Sequence, residues 1–486
     1  MTHEQDEPLD QSKGSEGEIS VIPDLGGGDD GDEIVVFDEA EERAAAEAAY
    51  AQLMERAGEQ APEPRLTATA RAAELLGDPQ RAFRIVHVTG TNGKTSTSRM
   101  IESLLRAHGL RTGLMTSPHL ERVNERILID GDPVSDEAFA RNWSEIQPFL
   151  ELVDKELTES GEQRLTFFEA FTVLAFTIFA DAPADVVVLE VGMGGEWDST
   201  NVADGDVAVL TPIDLDHVER LGRTISEIAR TKSGIIKPGA IVVSSAQPED
   251  ALAEITAKAA AVDATVKVAG TDFSVPSRAV AVGGQMVTIA GLAAEYSELF
   301  VPLLGAHQAE NAAVAVAAVE SFLGGGSVPI DGIVIAEGLA AATSPGRLQL
   351  LAADPPILVD AAHNPHGARA LAKALGEFFN FSHITLVFGV LDGKDVSGIL
   401  DALAPVVDDI VVTQTASDRA LDVDALAAQV VAQVGAERVT IEDSAQAALE
   451  YARDNAEEHE GAVLVAGSIV LAGEIITIVR EQGWGR

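Results

Sequence analysis

The stretch Thr89-Gly90-Thr91-Asn92-Gly93-Lys94-Thr95-Ser96 constrains this chain more than any other. It follows the apolar run Arg84-Ile85-Val86-His87-Val88 and enters a helical pattern carrying Met100, Ile101, Leu104 and Leu105. A strand, a glycine turn, a lysine, paired hydroxyls and a helix together build a phosphate cradle. The glycines let backbone N–H groups turn inward and the helix N-terminus adds positive potential. Lys94 contributes a point charge, and the hydroxyl of Thr95 or Ser96 can hold Mg²⁺. The spacing is short, since two residues separate Gly90 from Gly93 where the common phosphate loop has four. A chain with this signature is expected to bind a nucleoside triphosphate.

Around the loop, apolar runs alternate with helical stretches. Residues 186–191, 207–211 and 241–244 read as buried strands, which predicts a mostly parallel sheet with helices on both faces. Residues 39–71 are rich in Ala, Glu and Arg and predict helices leading into the loop region. The turn signal Thr343-Ser344-Pro345-Gly346-Arg347 restarts the pattern. Beyond it, 357–360, 384–390, 410–413 and 463–466 predict strands, and 368–379 a helix. The expected layout is an acidic disordered leader (1–40), a P-loop domain with a doubly wound parallel sheet (41–343), and a smaller Rossmann-like α/β domain (344–486). Ligands of such sheets sit beyond the carboxyl ends of the strands. Glu190, Asp214, Asp360 and Ser468 fall there.

Composition narrows the class. The chain has 486 residues and a formal net charge of −45, with thirteen acidic residues against Lys13 alone in the first forty. A protein tracking a phosphate backbone needs a basic groove, so nucleic acid is not an expected partner. The absence of cysteine excludes disulfides, thiolate catalysis and cysteine-ligated zinc. No apolar run is long and clean enough to cross a bilayer, and the first residues lack the basic and apolar regions of a secretory signal. The expected location is the cytoplasm.

Several polar residues interrupt apolar segments. Glu190 ends the run Val186-Val187-Val188-Leu189, and a carboxylate there must be paired or bound to metal. A salt bridge and a Mg²⁺ site are both open. His217, in Asp214-Leu215-Asp216-His217, serves equally as hydrogen-bond partner or ligand on chemistry alone. Lys232 by itself reads as a snorkelling surface lysine. His307, Gln308 and Asn311, Arg347, and Asp360-Ala361-Ala362-His363-Asn364 form further clusters. Arg347 is placed to reach a phosphate across the domain junction.

Taken in order over about residues 65–475, these motifs resemble folylpolyglutamate synthase, within the wider group of Mur-type amide ligases. They are Gly90-Thr91-Asn92-Gly93-Lys94, Thr116-Ser117-Pro118-His119, Asn124-Glu125-Arg126, Glu190-Val191-Gly192-Met193-Gly194-Gly195 through Asn201, Asp216-His217, Lys232-Ser233-Gly234, Gly305-Ala306-His307-Gln308, Pro345-Gly346-Arg347, Asp360-Ala361-Ala362-His363-Asn364 and Gly467-Ser468. The resemblance implies ATP-dependent ligation of L-glutamate to a folate through an acyl phosphate, and dihydropteroate as a second acceptor. It implies ATP phosphates on Asn92, Gly93, Lys94, Thr95 and Ser96, and nucleotide contacts at Asn311, Arg347 and Asp360. Mg²⁺ ligands would be Ser117, Glu190 and His217, with two metal sites and a monovalent cation as an optional extra. Thr166, Phe167, Phe168, Glu169, Asp198 and Ser199 would form the folate pocket, and Asp360, His363 and Ser468 would receive glutamate. Lys232 matches a lysine carried as a carbamate (N6-carboxylysine), and the resemblance implies a monomer.

This chain departs from the family pattern at three positions. Thr95 stands where glycine is usual, Glu196 where arginine is common, and Ala361 where glycine is common. Two other readings compete. A cell-wall Mur ligase is disfavoured because only about 65 residues precede the P-loop region, too few for a uridine-binding domain. A nucleotide-switched binding protein would have no use for the amine-handling run at 360–364.

Overall fold

The computed structural model describes residues 39–58 and 63–485. The acidic leader therefore lies outside the described residues, except that Glu39 and Ala40 open the first helix, Glu39–Met54. A second helix, Thr67–Leu75, completes the Ala-rich entry.

Eight strands form the first sheet: β1 (Arg84–Thr89), β2 (Thr112–Met115), β3 (Ile127–Ile129), β4 (Asp132–Pro133), β5 (Val186–Glu190), β6 (Val207–Leu210), β7 (Ile241–Ser244) and β8 (Thr265–Val268). Their order is β4-β3-β2-β5-β1-β6-β7-β8, parallel except that β3, near one edge, runs antiparallel to both β2 and β4. β1, which feeds the phosphate loop, is thus central, and its register pairs Val88 with Glu190 of β5. The carboxylate is delivered beside the loop by strand register alone.

An antiparallel sheet of β9 (Ser274–Ala281), β10 (Gly284–Ala290) and β11 (Glu295–Val301) follows. It shares a core with the helix Ala306–Gly324, whose small residues Ala312 to Val319 are buried. Nothing in the sequence reading anticipated this sheet.

The second large sheet holds β12 (Gln349–Ala353), β13 (Pro356–Val359), β14 (Ile384–Phe388), β15 (Asp409–Thr413), β16 (Val439–Glu442) and β17 (Ala462–Ala466). Its order is β12-β13-β17-β14-β15-β16, parallel but for β12. The helix expected at 368–379 begins earlier, spanning Pro365–Phe378. Asn364 caps it by accepting from Gly367 N at 2.8 Å, and Pro365 fills the first turn where no N–H is needed.

Four predicted strands overshoot the observed ends by one or two residues. Val191, Thr211, Asp360 and Val390 have already left their sheets. Apolar runs extend past the ladder because the chain stays buried as it turns toward the site.

Candidate active site

The phosphate loop is shaped by two glycines. A Cβ on Gly90 would sit 1.9 Å from Thr211 Oγ1, and one on Gly93, at φ +82°, would meet Asn311 Oδ1 at 2.9 Å. Side chains are excluded where β6 and the helix Ala306–Gly324 press against the loop. Lys94 opens the helix Lys94–Ala107 and folds back, donating from Nζ to Gly90 O (3.2 Å) and Thr91 O (3.3 Å). Burial lowers its pKa, although Glu190 and Asp216 act the other way. Thr95 and Ser96 part company: Thr95 Oγ1 donates to Glu190 Oε1 at 3.0 Å, while buried Ser96 shares a hydrogen bond with Ser344 at 2.9 Å.

Glu190 is 1% exposed, and its Oε2 finds no hydrogen-bond partner among the described residues. Burial pushes its pKa up to about 7 against the nearby Lys94 charge. An orphaned carboxylate oxygen beside a phosphate loop fits a hard cation that also takes oxygens from ATP. Among the described residues no group of three His, Cys, Asp or Glu could hold a metal, so the donor set suits Mg²⁺ shared with phosphates and hydroxyls rather than an all-protein cage. Lys232 is 4% exposed and donates from Nζ to Gly90 O at 2.6 Å. It is therefore no surface lysine. Burial, then the Lys94 charge, lowers its pKa to about 7.

Across from the loop stands the second sheet. Asp360 accepts from Leu348 N and Ala362 N, each at 2.8 Å, and burial raises its pKa. His363 donates from Nδ1 to Ala361 O at 3.0 Å, which leaves Nε2 3.7 Å from Asp216 Oδ2. Lys394 Nζ reaches the other Asp216 oxygen at 2.9 Å, and Asn364 spans Asp216 (3.3 Å) and Asn92 (3.0 Å). Burial opposes the Asp216 charge, yet His363, His217 and Lys394 hold the carboxyl well below its usual range. Ser468, 1% exposed, caps the helix Ile469–Glu481.

Both walls enclose one cavity of about 1070 Å³. Every residue singled out from the sequence for ATP, metal, folate or glutamate lines it, from Asn92 and Ser117 through Asn311 and Arg347 to Ser468. Their roles in it differ. Phe167 is 2% exposed and stacked on Phe171, whereas Phe168 is half-buried against Gly192. Glu169 completes the capping box of the helix Phe167–Asp181 and pairs with Arg65 at 2.9 Å. Phe168 thus keeps a partly exposed ring on the cavity.

The sequence reading missed Lys394, His366, which accepts from Asn92 at 3.0 Å, and Tyr50, which packs edge-on against His119. Asp392-Gly393-Lys394, just past a strand, carried a usable signal for the first of these. Tyr50 carried none.

A phosphate-loop sheet facing a second doubly wound sheet across one cavity defines a Mur-type ATP-dependent ligase. The Mur ligase middle domain matches residues 88–319, and the Mur ligase glutamate ligase domain matches 346–469. The chain belongs to the folylpolyglutamate synthase/dihydrofolate synthase family. It is 43% identical over 431 residues to the dihydrofolate synthase/folylpolyglutamate synthase of Mycobacterium tuberculosis, covering 85% of this chain and 88% of that one. A structure of M. tuberculosis folylpolyglutamate synthase complexed with ADP and AMPPCP superposes with a TM-score of 0.86 at 41% identity, over 91% of this chain and 99% of that chain. E. coli FolC in complex with DHPP and ADP gives a TM-score of 0.77 at 30% identity, over 90% and 98%. The protein is accordingly an enzyme that uses ATP to ligate glutamate to folate. Neither the cell-wall alternative nor a switch without turnover is favoured by these relatives. Among the described residues no helix is long and apolar enough to cross a membrane.

Proposed function

We propose that the cavity performs the ligation through an acyl phosphate. The carboxylate of a folate attacks the γ-phosphorus of ATP, the bond to the bridging oxygen breaks, and ADP leaves. The glutamate amine then attacks the acyl carbon, and phosphate departs as the amide forms. Activation is needed because a carboxylate is a poor electrophile and hydroxide a poor leaving group. Lys94 neutralises charge on the transferring phosphoryl group. Asn92, Gly93, Thr95 and Ser96 hold the phosphates, and Asn311, Arg347 and Asp360 the rest of the nucleotide. Glu190, Ser117 and His217 hold Mg²⁺, with Thr95 the closer hydroxyl since it already touches Glu190. Bound there, the metal supplies electrostatic stabilisation of phosphate oxygens.

Phe168, Asp198 and Ser199, with Thr166 at the rim, take the flat ring, where an aromatic face can stack. His363 and Ser468 orient glutamate, with His363 Nε2 held beside Asp216. Lys232 carries a carbamate, because burial lowers its pKa to about 7, so a substantial share of the amine is neutral and nucleophilic toward CO₂. Dihydropteroate is accepted as well as folate.

The single cavity that joins the phosphate loop to His363 and Ser468 carries this reading. The test is ADP release by purified protein. It should require glutamate together with tetrahydrofolate or, separately, dihydropteroate. ADP release that ignores glutamate would contradict ligation at this site.

A further inference from the structure

His87 lies inside β1 with 0% of its surface exposed. A buried imidazole in a central strand is costly unless its nitrogens are bonded, and here only one is. Nε2 is 2.9 Å from Thr200 Oγ1, while Nδ1 has no partner among the described residues. Thr200 Oγ1 in turn lies 2.6 Å from Asp198 Oδ1.

Burial raises the Asp198 pKa, and with Asp198 ionised the order of hydrogens along this relay follows. A carboxylate only accepts, so the Thr200 hydroxyl gives its one hydrogen to Asp198. Its oxygen must then accept from His87, which puts the imidazole hydrogen on Nε2 and leaves Nδ1 bare. Burial, reinforced by Lys237, holds the His87 pKa down to about 3, so the neutral ring persists.

Asp198 is 4% exposed and lines the cavity with Phe168. Its Oδ1 accepts from the Thr200 amide (3.0 Å) and hydroxyl (2.6 Å), and Oδ2 accepts from Met193 N at 2.9 Å. Oδ1 thus carries two of these bonds and Oδ2 one, and the Gly192 amide also faces the carboxylate. We propose that His87 is a positioning residue for folate: through Thr200 it locks the Asp198 carboxylate so that Oδ2 meets an N–H donor of the pteridine ring. The inference rests on the placement of the folate ring at Asp198. A valine or leucine would fill the same space without a bare buried acceptor. The donor on Nε2 is what the position requires.

Steady-state kinetics on five variants of the full chain test it. Thr200→Val, which conserves volume, should raise the folate KM about tenfold, and His87→Leu about fivefold. In both, kcat and the ATP KM should stay within about twofold. Thr200→Ser and His87→Gln, which keep the hydroxyl and the donor, should bring the folate KM back to within about twofold of the parent. If Asp198→Asn raises the folate KM but Thr200→Val does not, the relay is overturned while the pocket stands. If Asp198→Asn leaves it unchanged, the folate placement fails and the relay with it. Should His87→Leu not fold, the Thr200 pair decides alone.

Discussion

The two walls of the cavity handle charge in opposite ways. On the phosphate-loop wall, Lys94, Glu190 and Lys232 are each displaced from their ordinary pKa by burial, and none is among the observed ion pairs. On the facing wall, Asp360 is satisfied by two backbone amides, and His363, Asn364 and Lys394 converge on Asp216. The first wall is left electrostatically open, as suits a site completed by a triphosphate and a cation. The second is closed on itself and on its neighbour, as suits a wall that must hold position. Ligand charge completes one, and domain contact completes the other.

That contrast can be broken by mutation. The largest effect should come from Lys94→Ala, which removes the phosphoryl counter-charge. Turnover should fall by about 10³-fold with an unchanged circular-dichroism spectrum. Near-normal turnover would remove Lys94 from the chemistry. Next, Glu190→Gln should lower turnover about 100-fold and weaken Mg²⁺ binding in titration calorimetry, since the amide cannot replace the carboxylate charge. Equal Mg²⁺ affinity in parent and variant would make Glu190 structural.

Asp216→Asn attacks the contact between the two walls. It should raise the glutamate KM about tenfold while sparing the ATP KM, because it loosens Lys394 and His363 rather than the loop. Small-angle scattering should then show less compaction with ATP and folate than the parent shows. Compaction equal to the parent's would contradict the role given to this contact.

The last effect concerns pH and stability rather than turnover. His87 has a folded pKa of about 3, depressed by burial from an unfolded value near 6.5. A depressed histidine contributes stability that is present above about pH 6.5 and is lost as pH falls toward 3. Between pH 7 and pH 5 its share is about 2 kcal/mol, which His87→Gln should abolish in denaturant unfolding. Identical pH dependence in both proteins would sink the assignment. Glu190 acts with the opposite sign, since its raised pKa stabilises the ligand-free fold below about 4.5 and that share is lost as pH rises through about 7.

What could be read from the sequence followed burial. Strands covered on both faces, such as Val186–Glu190 and Ala462–Ala466, are unbroken apolar runs and stand out. β9 to β11 do not, because β9 is largely exposed and the sheet is interrupted by Pro276 and the Val282-Gly283 turn. The phosphate loop, Glu190 and the 360–364 run declare themselves as polar residues where apolar ones are expected. Lys394 and Asp216 acquire meaning only when two sheets meet, and no spacing along one chain encodes that meeting. Phe167 and Phe168 are neighbours of identical type. Only the helix phase separates the ring committed to the core from the ring facing the cavity.

In the proposed reaction the folate carboxylate becomes an acyl phosphate before glutamate captures it. Folate labelled with ¹⁸O in the reacting carboxylate, turned over with ATP and glutamate, tests this most directly by mass spectrometry of the released phosphate. One labelled oxygen should appear in phosphate for each amide formed. Unlabelled phosphate, or label carried into a nucleotide, would contradict the account.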